Sequence, residues 1–283
     1  MSYPRIGLAL GGGGARGMSH IPVLEAFDEL GLKPHAISGT SIGAIFGAAY
    51  ASGRTGREIR EIALELFSDR NSVLGRLWKL RPKRLSELFN GSNVVFDPLK
   101  VLDVFVAEHL PDNFEDLAIP LRVLATDFYG CREVDIDAGP LLPAIAASIA
   151  IPAVFRPVKR KDQILIDGGV VNPLPFDRLP TNCDVIVAVD VVGSPVPRSE
   201  RQLPTSLDAI FGTSQILMQT ITQEKLKQNQ PHVLLRPEDD NIRVLDFLKT
   251  KQILDRAEPL RQKAVEQIGK LLSTAEKSPI PSA

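Results

Sequence analysis

The sequence has too few cysteines for a domain that is held together by disulfides or by a structural zinc ion. Only Cys131 and Cys183 occur in 283 residues. Two cysteines this far apart provide neither a disulfide framework nor a zinc-ligand cluster, which fits a reducing compartment. There is no apolar run of about 18 residues or more, and residues 1–5 lack the apolar segment of a signal peptide. We therefore expect a cytoplasmic protein whose contact with a membrane would be peripheral.

An excess of charge of one sign is also lacking. The 33 Lys and Arg residues balance 34 Asp and Glu residues, which gives a formal net charge of −1. No overall electric field would draw the chain to nucleic acid, so we expect no nucleic-acid partner. Hydrophobic residues make up 44% of the chain and charged residues 24%, as in an ordinary globular protein with a sizeable core. The composition gives no indication of an oligomeric state.

A glycine loop follows the first predicted strand. Residues 5–10 form a short apolar run typical of a buried parallel strand, and the consecutive glycines 11–14 come directly after it. Consecutive glycines cost backbone entropy on folding, and their bare N–H groups suit a loop that approaches a negatively charged group. Apolar residues then recur at helical spacing over residues 21–30, and Gly31 ends this predicted helix.

The residues alone leave three interpretations of this loop open. Gly12, Gly14 and Gly17 match a dinucleotide-binding pattern, but position 37 holds an isoleucine where such sites carry an acid, and Gly-Lys-Ser/Thr is lacking. The second interpretation is an oxyanion hole built from backbone N–H groups. The third is a tight turn without a ligand.

A Gly-x-Ser-x-Gly pattern at residues 39–43 follows the second predicted strand, residues 34–38. Gly39 and Gly43 flank Ser41, where side-chain bulk would block a sharp turn from strand to helix. Such a turn lifts the serine oxygen away from the backbone, so Ser41 is our candidate nucleophile. The pattern alone is also compatible with ordinary turn chemistry. A helix rich in small residues is predicted over residues 42–52.

Asp167 is our candidate general base. It comes directly after the apolar strand predicted at residues 163–166, and Gly168 and Gly169 follow it. The carboxyl end of a strand is where α/β sheets place functional groups. The alternative is an aspartate that only turns a strand into a loop.

The remaining elements predict an α/β chain with one catalytic layer. Helices are predicted at 57–67, 98–109 and 141–151, and strands at 120–127, 131–136 and 184–192, with Asp190 inside the last of these strands. After them come a predicted helix that ends at residue 227, a strand at 233–235 and helical segments over 244–272. We divide the chain into a catalytic domain (5–193), a Pro-rich linker (194–203), a C-terminal helical segment packed on the catalytic layer (204–273) and a disordered tail (274–283).

A basic segment at residues 70–84 carries six Lys or Arg residues and no acid, interleaved with leucines and Trp78, the one tryptophan of the chain. Basic residues beside Trp and Leu are typical of a segment that lies on a membrane surface. A solvated surface segment packed through its apolar side is the alternative.

Four motifs together resemble the patatin-like phospholipases: residues 12–17 (Gly-Gly-Gly-Ala-Arg-Gly), 39–43 (Gly-Thr-Ser-Ile-Gly), 147–152 (Ala-Ser-Ile-Ala-Ile-Pro) and 167–169 (Asp-Gly-Gly). They come in the order and at the approximate spacing of that family, and the resemblance covers about residues 5–193. The resemblance implies a three-layer α/β/α fold with a mostly parallel central sheet, here with extra C-terminal helices. It also implies hydrolysis of acyl esters, typically of phospholipids or lysophospholipids.

The resemblance implies a role for each motif residue. Ser41 corresponds to the nucleophile and Asp167 to the base of a Ser-Asp dyad, and Gly12, Gly13 and Gly14 correspond to the oxyanion hole. The residues that support these motifs are Arg16, Gly17, Gly39, Gly43, Gly168 and Gly169. No metal or cofactor is implied, and we expect no dependence on calcium.

The chemistry of a dyad is coherent on physical grounds, because a carboxylate within hydrogen-bond reach of a serine can take its proton during attack on an ester. Two alternatives stay open. A Ser-Asp-His esterase with the chain order of α/β-hydrolases would have to use His232 with Asp167 or Asp190. A regulatory lipid-binding module could keep the same motifs with weak activity.

Overall fold

A mixed sheet of eight strands forms the centre of the part of the chain that the structure describes, residues 4–67, 69, 71, 73, 75, 96–195, 203–238 and 242–275 of a computed structural model. The strands are β1 (Ile6–Leu10), β2 (Ala36–Thr40), β3 (Leu121–Asp127), β4 (Arg132–Ile136), β5 (Val158–Arg160), β6 (Gln163–Asp167), β7 (Val185–Val189) and β8 (Val233–Leu235).

Parallel pairing joins β3, β2, β1, β7 and β8 in that spatial order. Their sequences are almost continuously apolar because the strands are buried on both faces of the sheet. The predicted hairpin across the turn after Asp127 is present, with β4 antiparallel to β3. β6 is also antiparallel to β3, and β5 pairs with β6. The predicted mixed α/β class with a mostly parallel sheet is confirmed.

Strand β3 brings two distant parts of the chain to adjacent positions. β4 occupies one edge of β3 over residues 123–127. On the opposite edge β2 pairs first, with Thr40 beside Leu124, and β6 takes over one residue later, with Asp167 beside Ala125. The residue that follows β2 and the last residue of β6 therefore meet beside β3.

Helices cover the sheet. The α-helices of the described residues are α1 (His20–Glu29), α2 (Ile42–Ala51), α3 (Gly56–Phe67), α4 (Pro98–Phe105), α5 (Leu141–Ser148), α6 (Ser206–Gln228) and α7 (Thr250–Ala275). The main core lies on one face of the sheet, where α1, α2, α5 and α7 contribute apolar side chains. On the other face a smaller cluster packs Leu174, Phe176 and Leu226 against Ala9 and Ala188.

Some predicted bounds were wrong. α5 stops at Ser148 and not at residue 151, because Pro152 disfavours helix at the residue before it and the Ala150 carbonyl instead accepts a hydrogen bond from the Asp167 N–H. β7 ends at Val189, so Asp190 follows the strand and is not inside it. α4 ends at Phe105, and a separate 3-10 turn covers residues 107–109.

Other predictions fall outside the described residues. The basic segment 70–84 is described only at residues 71, 73 and 75, so its membrane contact stays a prediction. The structure describes the linker only at its ends. It describes two residues of the predicted tail, Thr274 and Ala275, and both belong to α7. The division of the chain into domains also stays a prediction. Among the described helices, none is long and apolar enough to cross a bilayer.

Candidate active site

Ser41 occupies the sharp turn between β2 and α2. Its backbone has φ 54° and ψ −124°, in a region that residues with a side chain rarely adopt. Such a conformation costs about 1–3 kcal/mol and persists only where the surroundings enforce it. A methyl group at Gly43 would overlap the Leu10 carbonyl, so a glycine at this position lets α2 start against β1. The strand, turn and helix expected around Ser41 are present.

The hydroxyl of Ser41 donates a hydrogen bond to Oδ2 of Asp167, with 2.6 Å between the two oxygens. The two residues are 126 positions apart in the chain. The other carboxylate oxygen, Oδ1, accepts the N–H of Gly169 at 2.7 Å. Both carboxylate oxygens are therefore engaged, which fixes the plane of the carboxylate toward Ser41.

Burial sets the protonation behaviour of Asp167, whose exposed fraction is 6%. Loss of hydration raises the pKa of this carboxyl to about 6, against the opposing effect of the hydrogen bonds from Ser41 and Gly169. A carboxylate with this pKa is mostly ionised at neutral pH and is a better proton acceptor than an exposed aspartate.

Two hydroxyl groups hold the dyad in place. Ser148, at the end of α5, accepts the backbone N–H of Ser41 at 2.8 Å and donates to the Leu124 carbonyl at 2.5 Å. Thr126 of β3 donates to the Asp167 carbonyl at 2.8 Å. The Ala-Ser-Ile-Ala-Ile-Pro motif pointed to residue 148 without a role, and nothing in the sequence pointed to residue 126.

The glycine loop lies beside Ser41. A methyl group at Gly12 would sit 3.3 Å from Cβ of Ser41, so the absence of a side chain leaves room next to the hydroxyl. The N–H of Gly12 donates to the Pro173 carbonyl at 2.9 Å. Within the described part of the chain, the N–H groups of Gly13 and Gly14 donate to no protein atom. Of the three glycines expected to form an oxyanion hole, Gly13 and Gly14 therefore have N–H groups that could donate to a substrate oxygen, whereas the N–H of Gly12 is already engaged.

The supporting motif residues pack the loop and the dyad together. Arg16 is 2% exposed, and its Nε donates to the Val191 carbonyl at 3.1 Å. The remaining glycines lie where a side chain would overlap a neighbour: Gly17 against Ile42, Gly39 against the Gly43 carbonyl, Gly168 against the Leu124 carbonyl and Gly169 against Met218. These glycines allow the loop, β3 and α2 to approach each other closely.

The C-terminal segment completes the site, although its sequence gave no motif. Cε of Met218, in α6, lies close to both Gly12, which borders Ser41, and Gly169, which donates to Asp167. The carbonyl of Val244 accepts the N–H of Ala15 at 2.8 Å and holds the end of the glycine loop.

A lysine in the last turn of α6 fastens this helix to the segment after β6. Nζ of Lys225 donates to Oδ1 of Asn172 at 2.6 Å, to the Leu174 carbonyl at 2.9 Å and to Oδ1 of Asp177 at 2.5 Å. Asn172 in turn accepts the Thr40 hydroxyl through its carbonyl at 2.8 Å. Lys225 is thus linked through Asn172 to Thr40, the residue before Ser41.

The histidines do not join the dyad. Nδ1 of His232 accepts the N–H of Ile186, at the amino-terminal half of β7, whereas Ser41 lies past the carboxyl end of β2. His20 is fully buried with its Nε2 against the Gly11 carbonyl, and burial lowers its pKa to about 4, so its ring is neutral. In the described residues, no histidine forms a hydrogen bond with Ser41 or Asp167.

Metal ligands do not gather near this site or elsewhere in the described ranges. There, no group of three or more His, Cys, Asp or Glu side chains has an arrangement that could hold a metal ion.

Comparisons with known proteins agree with this architecture. The family model for patatin-like phospholipase matches residues 8–180. An uncharacterized NTE family protein of Mycobacterium tuberculosis is 37% identical over 194 residues, which are 68% of this chain and 51% of that protein. Patatin-like phospholipase domain-containing protein 6 of Homo sapiens is 33% identical over 210 residues, 73% of this chain and 14% of that protein. The chain thus spans about half the length of the mycobacterial relatives.

Solved structures with low sequence identity share the fold. Human GIVD cytosolic phospholipase A2 in complex with methyl gamma-linolenyl fluorophosphonate has a TM-score of 0.51 at 14% identity, with 97% of this chain and 60% of that chain covered. VipD from Legionella pneumophila has a TM-score of 0.50 at 12% identity, with 94% and 67% covered. With the family model matching most of the chain and the motif residues gathered around Ser41, the chain belongs to the patatin-like phospholipase family.

Proposed function

We propose that this protein is a serine acyl hydrolase that cleaves carboxylic ester bonds through Ser41 and Asp167. The observation that carries the proposal is the 2.6 Å hydrogen bond from the Ser41 hydroxyl to the buried carboxylate of Asp167. A serine hydroxyl is a weak nucleophile until a base takes its proton, and the Asp167 carboxylate lies within hydrogen-bond distance of that proton. The strained backbone of Ser41 supports the same proposal, because such strain concentrates at functional sites.

The reaction runs in two halves. Oγ of Ser41 attacks the ester carbonyl carbon while its proton passes to Oδ2 of Asp167. Collapse of the tetrahedral intermediate breaks the ester bond, and the leaving alcohol takes the proton from Asp167. Water then attacks the acyl-enzyme, Asp167 takes a proton from this water, and the proton returns to Ser41 as the fatty acid leaves.

The N–H groups of Gly13 and Gly14 are proposed to stabilise the oxyanion. They have no acceptor among the described residues and follow directly after Gly12, which lies against Ser41. Backbone donors aimed at a developing negative charge are often the largest single contribution to such catalysis, and losing one costs on the order of a hundredfold in rate. Gly12 contributes space rather than a donor, because its N–H is used by Pro173.

Phospholipids or lysophospholipids are the proposed substrate class. Family membership and the name of a relative, lysophospholipase NTE1 of Eremothecium gossypii, support this class; that relative is 27% identical over 281 residues, 89% of this chain and 18% of its own length. No metal or cofactor is needed for the steps above.

Peripheral contact with a membrane through residues 70–84 remains part of the proposal. The support is the sequence of that segment, with its six basic residues and Trp78. Val73 is buried against Leu66 and Phe105, which favours the alternative that the start of the segment packs on the protein surface. Flotation with anionic liposomes, compared between wild type and Trp78→Ala, separates the two, since unchanged binding removes Trp78 from the contact.

The proposal is tested by hydrolysis of a short p-nitrophenyl ester and of a lysophospholipid. Wild type should turn over both, and folded Ser41→Ala and Asp167→Asn variants should lose this activity. His232→Ala is the matched control, and it should retain nearly full activity because His232 lies outside the dyad. A wild type without turnover would move the function toward a regulatory lipid-binding module on the same fold.

A further inference from the structure

A polar cavity lies beside the glycine loop, where Arg16 forms part of its lining. It has a volume of about 250 Å³ and lies between the ends of β7 and β8, the glycine loop and α6. Its polar lining includes Arg16, Asp190, Gln219, Thr222, Gln223 and Arg236. We call it the β7–β8 cavity. No step of the proposed ester hydrolysis uses it.

Arg236 presents an oriented guanidinium to this cavity. Its Nε donates to Oδ2 of Asp190 at 2.8 Å, and Oδ1 of Asp190 accepts the N–H of Val192 at 3.1 Å. Asp190 is buried, whereas the side chain of Arg236 is 49% exposed. In the described part of the chain, the two terminal nitrogens of Arg236 have no acceptor. A guanidinium fixed through Nε with its terminal N–H groups open suits a phosphate or a carboxylate.

Thr222 adds an unused hydroxyl. The residue is 1% exposed, and its Oγ1 has no hydrogen-bond partner. A threonine within a helix commonly donates to the carbonyl four residues earlier, as Thr220 does to Ile216 at 2.9 Å. Thr222 does not, although burying an unpaired hydroxyl costs about 1–3 kcal/mol. A buried hydroxyl without a partner in a cavity wall is a group that a ligand can satisfy.

Gln219 is a third polar residue of the cavity wall, and it is held in place by two hydrogen bonds. Its Nε2 donates to the Gly193 carbonyl at 3.3 Å and to the Ser194 hydroxyl at 3.1 Å. These bonds tie α6 to the segment after β7 and keep the cavity walls in place. Among the described residues, two guanidinium groups (Arg16 and Arg236) and one carboxylate (Asp190) line the cavity. The terminal N–H groups of Arg236 are the donors that an anion in this cavity would meet.

We propose that the β7–β8 cavity binds a phosphate group, with Arg236 and Thr222 as its ligands. Ligand sites usually have volumes of about 300–1,000 Å³, so a cavity of about 250 Å³ fits a headgroup and not a whole lipid. The glycine loop connects the dyad with the β7–β8 cavity, because Gly12 borders Ser41 and Arg16 lines the cavity. The assignment of the cavity as a lipid-headgroup subsite rests on the proposed function. Its assignment as a phosphate site does not depend on that function.

Kinetics with two matched esters test the headgroup role. The ratio of kcat/KM for a lysophosphatidylcholine to that for the monoacylglycerol with the same acyl chain should fall about tenfold in Arg236→Gln, since hydrogen bonds to charged groups contribute about that much. It should fall about threefold in Thr222→Val, which removes a hydroxyl without a protein partner. Thr220→Val, on the outer face of the same helix, should leave the ratio within about twofold of wild type.

Equal ratios in wild type, Arg236→Gln and Thr222→Val would overturn the headgroup subsite while ester hydrolysis itself stood. A wild-type protein that turns over neither ester would instead count against the proposed function.

A binding measurement decides the phosphate site without catalysis. Glycerophosphocholine and inorganic phosphate are each added to the full chain, and the thermal unfolding midpoint is followed, because a ligand of the folded state raises it. At one ligand concentration we expect a rise in wild type and in Thr220→Val that is smaller in Thr222→Val and smallest in Arg236→Gln. A rise with inorganic phosphate alone assigns the site to free phosphate, and a rise with glycerophosphocholine assigns it to the headgroup. No rise with either compound, or an equal rise in all four proteins, would overturn the proposal.

Discussion

Ser148 accepts the backbone N–H of Ser41 through its side-chain oxygen, at 2.8 Å, and donates its hydroxyl hydrogen bond to the Leu124 carbonyl. One fully buried hydroxyl therefore ties the turn that carries the candidate nucleophile to the central strand β3. The turn is strained, with a positive φ at Ser41, so a fixed partner for its N–H helps to hold it.

We predict that Ser148→Ala lowers kcat about tenfold with little change in KM, because the hydroxyl of Ser41 loses its fixed position. The variant also removes the side-chain partner of the buried Ser41 N–H, at about 1–3 kcal/mol, so the free energy of unfolding should fall. Steady-state kinetics and denaturant unfolding measure the two effects. Ser214→Ala, at an exposed position of α6, is the control. A destabilised but fully active Ser148→Ala protein would show that Ser148 acts only in folding.

The buried carboxyl of Asp167 predicts the pH dependence of activity. With a pKa of about 6, the carboxyl is protonated below that pH and cannot act as a base. We therefore expect kcat/KM to rise with pH, with a midpoint near 6, and to level off above about pH 7. The measurement needs an ester whose chromophore does not titrate in this range. A flat profile between about pH 5 and pH 8 would contradict the role of Asp167 as the base.

The same pKa predicts that Asp167 weakens the fold when it is ionised. A carboxyl whose pKa is raised from 3.8 to about 6 by folding binds protons more tightly in the native state, so stability falls as pH rises between these values. Asp167→Asn removes the charge and should raise the free energy of unfolding by up to about 3 kcal/mol at pH 8. The gain should vanish near pH 3, where the carboxyl is neutral in both states. Denaturant unfolding at the two pH values tests this, and an equal gain at both would refute it.

Lys225 is predicted to anchor α6 over the site. Lys225→Ala removes three hydrogen bonds to Asn172, Leu174 and Asp177 in a setting where the lysine side chain is 19% exposed. We expect a loss of about 2 kcal/mol in the free energy of unfolding. Lys227→Ala, two residues further along α6, removes only an exposed pair with Glu224 and should cost less than about 0.5 kcal/mol. Similar losses in both variants would mean that the Lys225 contacts do not hold the helix.

Local patterns in the sequence predicted the parts of the site but not their assembly. The small residues around Ser41 and the apolar strand before Asp167 gave the turn and the strand end, because these depend on neighbours in the chain. That the two meet depends on the register of β3, where Thr40 and Asp167 lie beside consecutive residues. Register is a tertiary property, so only the family resemblance pointed to their pairing.

The contributions that sequence reasoning missed all depend on distant partners. The N–H of Gly12 donates to the Pro173 carbonyl, and Met218, from a segment with no motif, lies close to Gly12 and Gly169. Neither contact has a local signal, since a backbone carbonyl or a methionine fits many environments. Thr222 shows the same limit, because its unpaired hydroxyl is apparent only once the walls of the β7–β8 cavity are placed around it.

The most direct test of the central claim is to identify the residue that a fluorophosphonate probe modifies. Such a probe reacts with an activated serine, and mass spectrometry of the digested protein locates the adduct. We predict one adduct, on Ser41, that forms much more slowly in Asp167→Asn. An adduct on another serine, or labelling of Ser41 at an unchanged rate in Asp167→Asn, would contradict the dyad.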